Sequence, residues 1–259
     1  MREGMGRDKS DLEERAVGRW KPGRRWYHPA MAYVTIRLSR LIMKRMNRLE
    51  VEGEERFEAL RERGGRGLLT LSNHVSMFDD PLLPCNFGLP KYSEVRWVAA
   101  DALNFFSNPW KAWLFTAGKA VPIVRGGGVD QPGFRFLLER LKEGEWVHIF
   151  PEGKRTRKPV GMMADELKGG IGMLMAEAQP IALPFYHYGM HDVLPVGSLR
   201  PRRGKQVRLV FGEKIDCAEL AGGQPSRQVA ALMTKTALEA LQELERRVRP
   251  DARKDTEAA

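Results

Sequence analysis

Short apolar runs alternate with segments of helical period along most of this chain. Residues 67–72, 95–99, 120–124, 146–150, 181–185 and 206–211 are short stretches rich in Val, Ile, Leu and Phe, and each predicts a strand. Between them, residues 54–63, 101–117, 130–142, 169–178 and 226–249 repeat their apolar positions every three or four residues, as helices do. The helix over 130–142 carries clear end signals, with Asp130 as the expected N-cap, Pro132 in the first turn and Gly144 just past the end. Strands alternating with helices predict an α/β fold, a mostly parallel central sheet flanked by helices.

Ahead of this alternation, residues 29–49 predict an amphipathic helix. Val34, Leu38, Leu41, Ile42 and Leu49 fall near one face, with Met31 and Met46 beside them. Arg37, Arg40, Lys44, Arg45 and Arg48 crowd the other, and Pro29 suits the first turn. Two readings fit: a surface helix packed on the core, or a helix lying in a membrane interface. Residues 1–28 mix both charge signs with Gly and Pro and hold no apolar segment, so they read as a flexible arm. Glu3, Asp8, Asp11, Glu13 and Glu14 argue against a mitochondrial presequence, and nothing there resembles a signal peptide. Residues 250–259 read as a frayed tail. The chain of 259 residues, 42% hydrophobic, is long enough for one well-packed core, so 29–249 are expected to form a single domain.

Charge narrows the partners. A formal net charge of +10 implies an anionic one: nucleic acid, a phospholipid surface or a phosphorylated substrate. Cys85 and Cys217 stand far apart and fit neither a disulfide framework nor a zinc site, so no metal is expected. No helix-turn-helix pattern or RNA-binding aromatic motif is visible, which argues against nucleic acid. No stretch reaches the roughly 20 apolar residues of a spanning helix.

The candidate chemistry sits where strands end. The stretch 71–81, LSNHVSMFDDP, follows the strand over 67–72 and places His74 five residues before Asp79. A histidine can act as general base near neutral pH, and a carboxylate on its other ring nitrogen fixes the tautomer and stabilises the imidazolium. The same residues also suit a simple turn, with Asp79 or Asp80 capping a helix at Pro81. At 149–158, IFPEGKRTRK follows another strand with Glu152, Gly153, Lys154, Arg155, Arg157 and Lys158, a loop able to hold a phosphate or to serve as ordinary charged surface. Arg125 leaves a third strand and runs into three glycines. In a parallel sheet these ends lie along one edge, so the three clusters can face one site. A base beside phosphate-binding cations suits a hydroxyl on a phosphorylated molecule. No serine or cysteine occupies a nucleophile elbow, so the substrate hydroxyl itself is the simpler attacking group.

On these residues the chain resembles the glycerolipid acyltransferases. NHVSMFDD is similar to their first motif, a histidine, four residues and an aspartate, and FPEGKRT is similar to their third. Within that family the resemblance is to the tafazzin-type phospholipid–lysophospholipid transacylases, through RWVAADALNFF, GKAVPIVRG, GEWVHIFPEGK, KGGIGMLMAEA and PIALPFYHYGMHDVLP, spanning roughly 72–195. The resemblance implies that His74 is the general base on the free hydroxyl of a lysophospholipid and that Asp79 orients it. Glu152 and Gly153 would shape the acceptor site, with Arg125, Lys154 and Arg155 near the phosphate. It implies no cofactor, phospholipid and lysophospholipid as substrates, and an anionic membrane surface as partner. The place would be peripheral on a membrane, mitochondrial in a eukaryote or the cytoplasmic face of the inner membrane in a bacterium. Gly118 stands seven residues before Arg125, the tafazzin spacing, whereas Arg155 matches the wider family. The alternative donor is therefore acyl-CoA, with a lysophospholipid or 1-acylglycerol-3-phosphate as acceptor. The aromatic stretch Phe105, Phe106, Trp110, Trp113 and Phe115 is expected as a membrane dock, with buried core as the other reading. His148 is expected in the core, and His187 and His191 carry no assigned catalysis.

Overall fold

Thr70 sits at the middle of the molecule, fully buried on a strand that is paired on both sides. The computed structural model describes residues 2–249 apart from 24, 88–90, 157, 159–161, 196 and 199, and the backbone alone for 2–10; Arg157 and the expected tail over 250–259 lie outside it. In chain order the elements are α1 (Arg2–Arg19), α2 (His28–Arg40, continued by a π-helical turn, Leu41–Met46), β1 (Arg48–Glu52), α3 (Glu54–Ala59), β2 (Leu68–Ser72), α4 (Asp79–Leu82), β3 (Trp97–Asp101), α5 (Ala102–Phe105), α6 (Pro109–Ala117), β4 (Ala120–Ile123), α7 (Pro132–Lys142), β5 (Trp146–Ile149), α8 (Gly170–Ala178), β6 (Ile181–Tyr188), α9 (Met190–Val193), β7 (Gln206–Phe211), β8 (Ile215–Asp216), α10 (Cys217–Ala221) and α11 (Arg227–Val248).

The strands form one sheet in the order β1-β7-β6-β2-β5-β3-β4, with β8 paired to β6. From β6 to β4 all neighbours are parallel, and β7 joins β6 in antiparallel register. The expected α/β fold with a mostly parallel central sheet flanked by helices is therefore present. The C-terminal ends of β6, β2, β5, β3 and β4 share one edge, which gathers the segments after Ser72, Ile149 and Ile123 on the same side of the molecule. Helices cover both faces, one core cluster lying under α7, α8 and α11 and the other under α3 and α4. In α11, Ala230, Met233, Ala237, Leu241, Leu244 and Val248 are buried at steps of three and four, the spacing that makes one apolar stripe. Ser226 caps it by accepting from Val229 N–H at 3.1 Å.

α8 crosses α11 at backbone contact because Gly172 has no side chain. A Cβ there would collide with the Ala230 carbonyl oxygen and with Thr234 Oγ1. Gly172→Ala is expected to lose about 1–3 kcal/mol of stability through overpacking, although alanine is the better helix former. Chemical denaturation measures this directly, and an unchanged midpoint would show that the two helices can separate without cost.

The structure differs from the sequence reading at four places. The expected arm over 1–28 is largely the helix α1, and Ala16 and Trp20, one helical turn apart, reach the core, where Trp20 meets Phe136 edge-on at 4.9 Å. The helix expected to reach Leu49 ends with the π-helical turn at Met46, and residues 48–52 form the edge strand β1 against β7. Arg48-Leu49-Glu50-Val51-Glu52 alternates polar and apolar positions, a period of two that the preceding helical pattern conceals. Third, α2 buries its expected apolar face only in part: Val34, Leu38 and Leu41 are exposed, as is Tyr33, whereas Ile42 of the following turn is buried in the core. It packs instead through Ser39, whose hydroxyl donates to Leu82 O at 2.8 Å and accepts from Asn86 Nδ2 at 3.1 Å. Finally, Asp130 does not cap α7. Gln131 holds the N-cap position, and its side chain bridges to Val124 N and O at 2.7 and 3.2 Å, because Pro132 starts the helix one residue later.

Candidate active site

Strand β2 delivers Asn73 and His74 to the sheet edge. Asn73 is locked to the end of β6: its Nδ2 donates to His187 O at 2.9 Å, and its Oδ1 accepts from His187 N–H at 3.0 Å. The His187 ring closes the same contact, with Nε2 3.1 Å from Asn73 O. His74 is thus the first residue past a tightly held one.

The next turn wraps around a carboxylate. Asp79 Oδ2 accepts from Val75 N–H at 2.7 Å and Ser76 N–H at 2.8 Å, and lies 3.0 Å from His74 Nδ1. With two backbone amides already donating to this oxygen, the third contact is His74 Nδ1–H donating to it, which leaves Nε2 with its lone pair. Asp79 is 1% exposed. Burial alone would push its carboxyl up, but the neighbouring His187 ring and the hydrogen bonds from His74 and the Ser76 amide outweigh it, and the pKa lies below the usual carboxylate value. The two aspartates divide their duties. Asp80 takes the buried Arg96 in a fork, Nε to Oδ1 at 2.8 Å and Nη2 to Oδ2, while Arg96 Nη1 reaches Gly118 O at 2.9 Å. Neither side chain acts as a cap for α4.

The segment after β5 holds His74 from the other side. The imidazole stacks on Phe150 with ring centres 4.1 Å apart. His74 N–H donates to Glu152 Oε1 at 2.9 Å, and Thr156 N–H donates to His74 O at 2.8 Å. Glu152 Oε2 accepts from Ala164 N–H at 3.0 Å, and the preceding amide, Met163 N–H, donates to Glu245 Oε1 on α11 at 3.0 Å. Two buried or half-buried carboxylates therefore receive successive amides of one loop. Burial pushes the Glu152 carboxyl up, opposed by the amides of His74 and Ala164. Glu152→Gln is expected to lower activity about 10-fold or more, because one of two amide acceptors becomes an NH₂ facing an N–H. A steady-state assay alongside thermal unfolding checks it; full activity would mean the His74 backbone needs no such anchor.

The structure brings His74, Asp79 and Glu152 together through direct hydrogen bonds. Gly153 follows with φ +70°, a backbone that side chains rarely adopt, and turns the chain so that Lys154 is exposed and Arg155 half-buried. Arg125 stands on the same edge but at the end of β4, three strands from β2, roughly 14 Å at ordinary strand spacing. It is held by Asp101, Nε to Oδ2 at 2.8 Å. His148 is a core residue as expected: fully buried, stacked near Phe185 and 2.9 Å from Thr70 Oγ1. Among the described residues no group of three His, Cys, Asp or Glu is placed to hold a metal ion. Sequence reasoning passed over Asn73, Phe150, His187 and Glu245. The first two adjoin the motifs and were within reach, whereas His187 and Glu245 join the site only through the β2–β6 pairing and the packing of α11.

Residues 48–188 match the protein-family model described as Acyltransferase, a window that opens at the first residue of β1 and closes at the last of β6. The chain belongs to the acyltransferase family. The matched window of this acyltransferase-family chain holds every residue of the site except Glu245. The chain is 35% identical to tafazzin of Drosophila melanogaster over 80% of its own length and 57% of that protein. It is 38% identical to N-acylphosphatidylethanolamine synthase of Arabidopsis thaliana, over 59% of this chain and 57% of the relative. It thus spans a little over half the length of these curated relatives. The crystal structure of the 1-acyl-sn-glycerophosphate acyltransferase from Thermotoga maritima shares the fold at a TM-score of 0.51 and 22% identity, covering 82% of this chain and 78% of that one.

Proposed function

We propose that this chain is a membrane-associated O-acyltransferase that moves a fatty acyl group from a phospholipid to the free hydroxyl of a lysophospholipid without coenzyme A. The observation that carries the chemistry is the His74–Asp79 contact at 3.0 Å, with the carboxylate oxygen fixed by two backbone amides. Asp79 holds Nδ1–H, so Nε2 takes the proton of the acceptor hydroxyl as its oxygen attacks the donor ester carbonyl. The tetrahedral intermediate collapses, the C–O bond to the donor glycerol breaks, and the imidazolium returns its proton to that departing oxygen. One ester replaces another, so the free-energy change is near zero and no activated donor or cofactor is needed. Glu152 acts through the His74 backbone, and Gly153 lets Lys154 and Arg155 face the substrate phosphate. Arg125, tethered to Asp101, suits the far end of an extended lipid.

The tafazzin similarity supports the choice of donor, and the exposed Tyr33, Val34, Leu38, Trp110 and Leu114 support docking on a bilayer. Among the described residues no helix is long and apolar enough to cross a membrane, which fits peripheral attachment. A second reading, acyl-CoA as donor to a lysophospholipid or 1-acylglycerol-3-phosphate, is favoured by Lys154 and Arg155, for which no acidic partner exists among the described residues. Labelled lysophospholipid presented on phosphatidylcholine vesicles, with and without acyl-CoA, separates the two. Label entering diacyl lipid in the absence of coenzyme A supports transacylation; transfer that needs acyl-CoA moves the donor to the second reading and leaves the His74 mechanism standing.

A further inference from the structure

We infer that a second lipid site, separate from the His74 centre, lies between the end of α1 and the outer face of α6 and takes the phosphate of an anionic phospholipid headgroup. The inference rests on the membrane association proposed above. A cavity of about 370 Å³ opens there, lined by Arg19, Lys21 and Arg25 on one side and by Tyr27, His28 and Trp113 among others. Its size is at the lower end of the roughly 300–1,000 Å³ usual for ligand sites. None of its lining residues belongs to the His74 site.

Three cations converge on this cavity and no carboxylate lines it. Arg19 spends one donor on Phe106 O at 3.3 Å, whereas Lys21 and Arg25 make no ion pair among the described residues. Elsewhere in the chain arginines are commonly matched, as Arg66 is by Asp216 and Arg96 by Asp80. The unmatched charge is felt locally: the buried His28 imidazole is held below its ordinary pKa first by burial and then by Arg25. An arginine and a lysine facing an open, acid-free cavity suit the oxygens of a phosphodiester.

The surroundings favour a lipid as the source of that phosphate. Trp26, 90% exposed, and Trp110, 67% exposed, stand close by in sequence and in ring contacts. Trp110 stacks on Trp113 at 4.8 Å, Trp113 meets Tyr27 at 5.7 Å, and Tyr27 meets Trp26 at 5.7 Å. Indoles settle at the boundary between headgroups and acyl chains, so a protein resting on this aromatic chain brings the three cations to headgroup depth. α2 begins beside the cavity at His28 and exposes Tyr33, Val34 and Leu38 further along. The site would anchor the enzyme on anionic membrane without taking part in acyl transfer.

The test measures binding of the full chain to phosphatidylcholine vesicles with and without phosphatidylglycerol. It compares wild type, Lys21→Gln/Arg25→Gln, and a control, Lys214→Gln/Arg227→Gln, that removes the same charge from exposed positions elsewhere. The site predicts that the anionic lipid strengthens wild-type binding, that the first variant loses about thirtyfold of that gain, and that the control keeps it. Binding to pure phosphatidylcholine and turnover of a micellar substrate should be unchanged. Equal losses in both variants would mean bulk charge alone and would overturn the site. So would wild-type binding indifferent to phosphatidylglycerol, which leaves docking through the apolar face standing. Failure to bind either vesicle would remove the membrane reading and the site with it. Thermal protection by inorganic phosphate without any vesicle effect would assign the cavity to a free anion, and retention on single-stranded DNA lost only in the first variant would assign it to nucleic acid. Either result contradicts the lipid.

Discussion

His74→Ala is expected to retain the fold and lose about 10²–10⁴-fold of the acyl-transfer rate, equivalent to about 3–5 kcal/mol of barrier. The fold should hold because the anchors of this position are in the backbone: the N–H goes to Glu152, the C=O accepts from Thr156, and neither needs the imidazole. What the substitution removes is the proposed base, its contact with Asp79 and its stacking on Phe150. Circular dichroism and a vesicle assay on the same preparation check both halves. A folded variant with wild-type turnover would make the turn at 73–79 a structural device only.

Asp79→Asn is expected to cost about as much, for a different reason. The amide oxygen that replaces the carboxylate can still accept from Val75 and Ser76, so the turn should survive. That oxygen, in the Oδ2 position, also receives His74 Nδ1–H, and the new NH₂ falls at the Oδ1 position, so the histidine keeps its tautomer but loses the negative charge beside its ring. The imidazolium that forms when Nε2 takes the hydroxyl proton then lacks its counter-charge, and in serine-protease triads the same substitution costs about 10⁴-fold. Kinetics should show the loss in kcat with KM little changed, because the aspartate does not touch substrate. A rise in KM at constant kcat would contradict an orienting role and place Asp79 in binding. The substitution also buries an NH₂ at the Oδ1 position, where the carboxylate oxygen has no hydrogen-bond partner, so a modest fall in stability is expected as well.

The inner strands of the central sheet were legible because buried parallel strands are short apolar runs, and Leu68–Ser72 and Trp146–Ile149 leave little choice of period, unlike the edge strand β1 and the two-residue β8. Strand ends predicted a shared edge, and His74 with Glu152 does meet there. What the text of the chain could not supply is strand order. That order puts β5 beside β2, so Glu152 can hold the His74 amide, and places β4 three strands off, so Arg125 stands apart. The same gap explains His187 and Glu245, which reach the site through pairings more than a hundred residues and about eighty residues away in sequence. For the helix over 29–49 the sequence left two readings open, a face packed on the core or a face laid on a membrane, and period alone does not choose: Val34 and Leu38 face outward and Ser39 faces inward.

The central claim is acyl exchange between two lipids through His74. The most direct measurement supplies phospholipid labelled in its acyl chain and lysophospholipid labelled in its headgroup, with no coenzyme A, to wild type and to His74→Ala. Wild type is expected to yield diacyl lipid carrying both labels, the variant at least about 10²-fold less, with release of unlabelled-headgroup lysophospholipid in equal amount. Free fatty acid in place of the doubly labelled product, or equal transfer by both proteins, would contradict it.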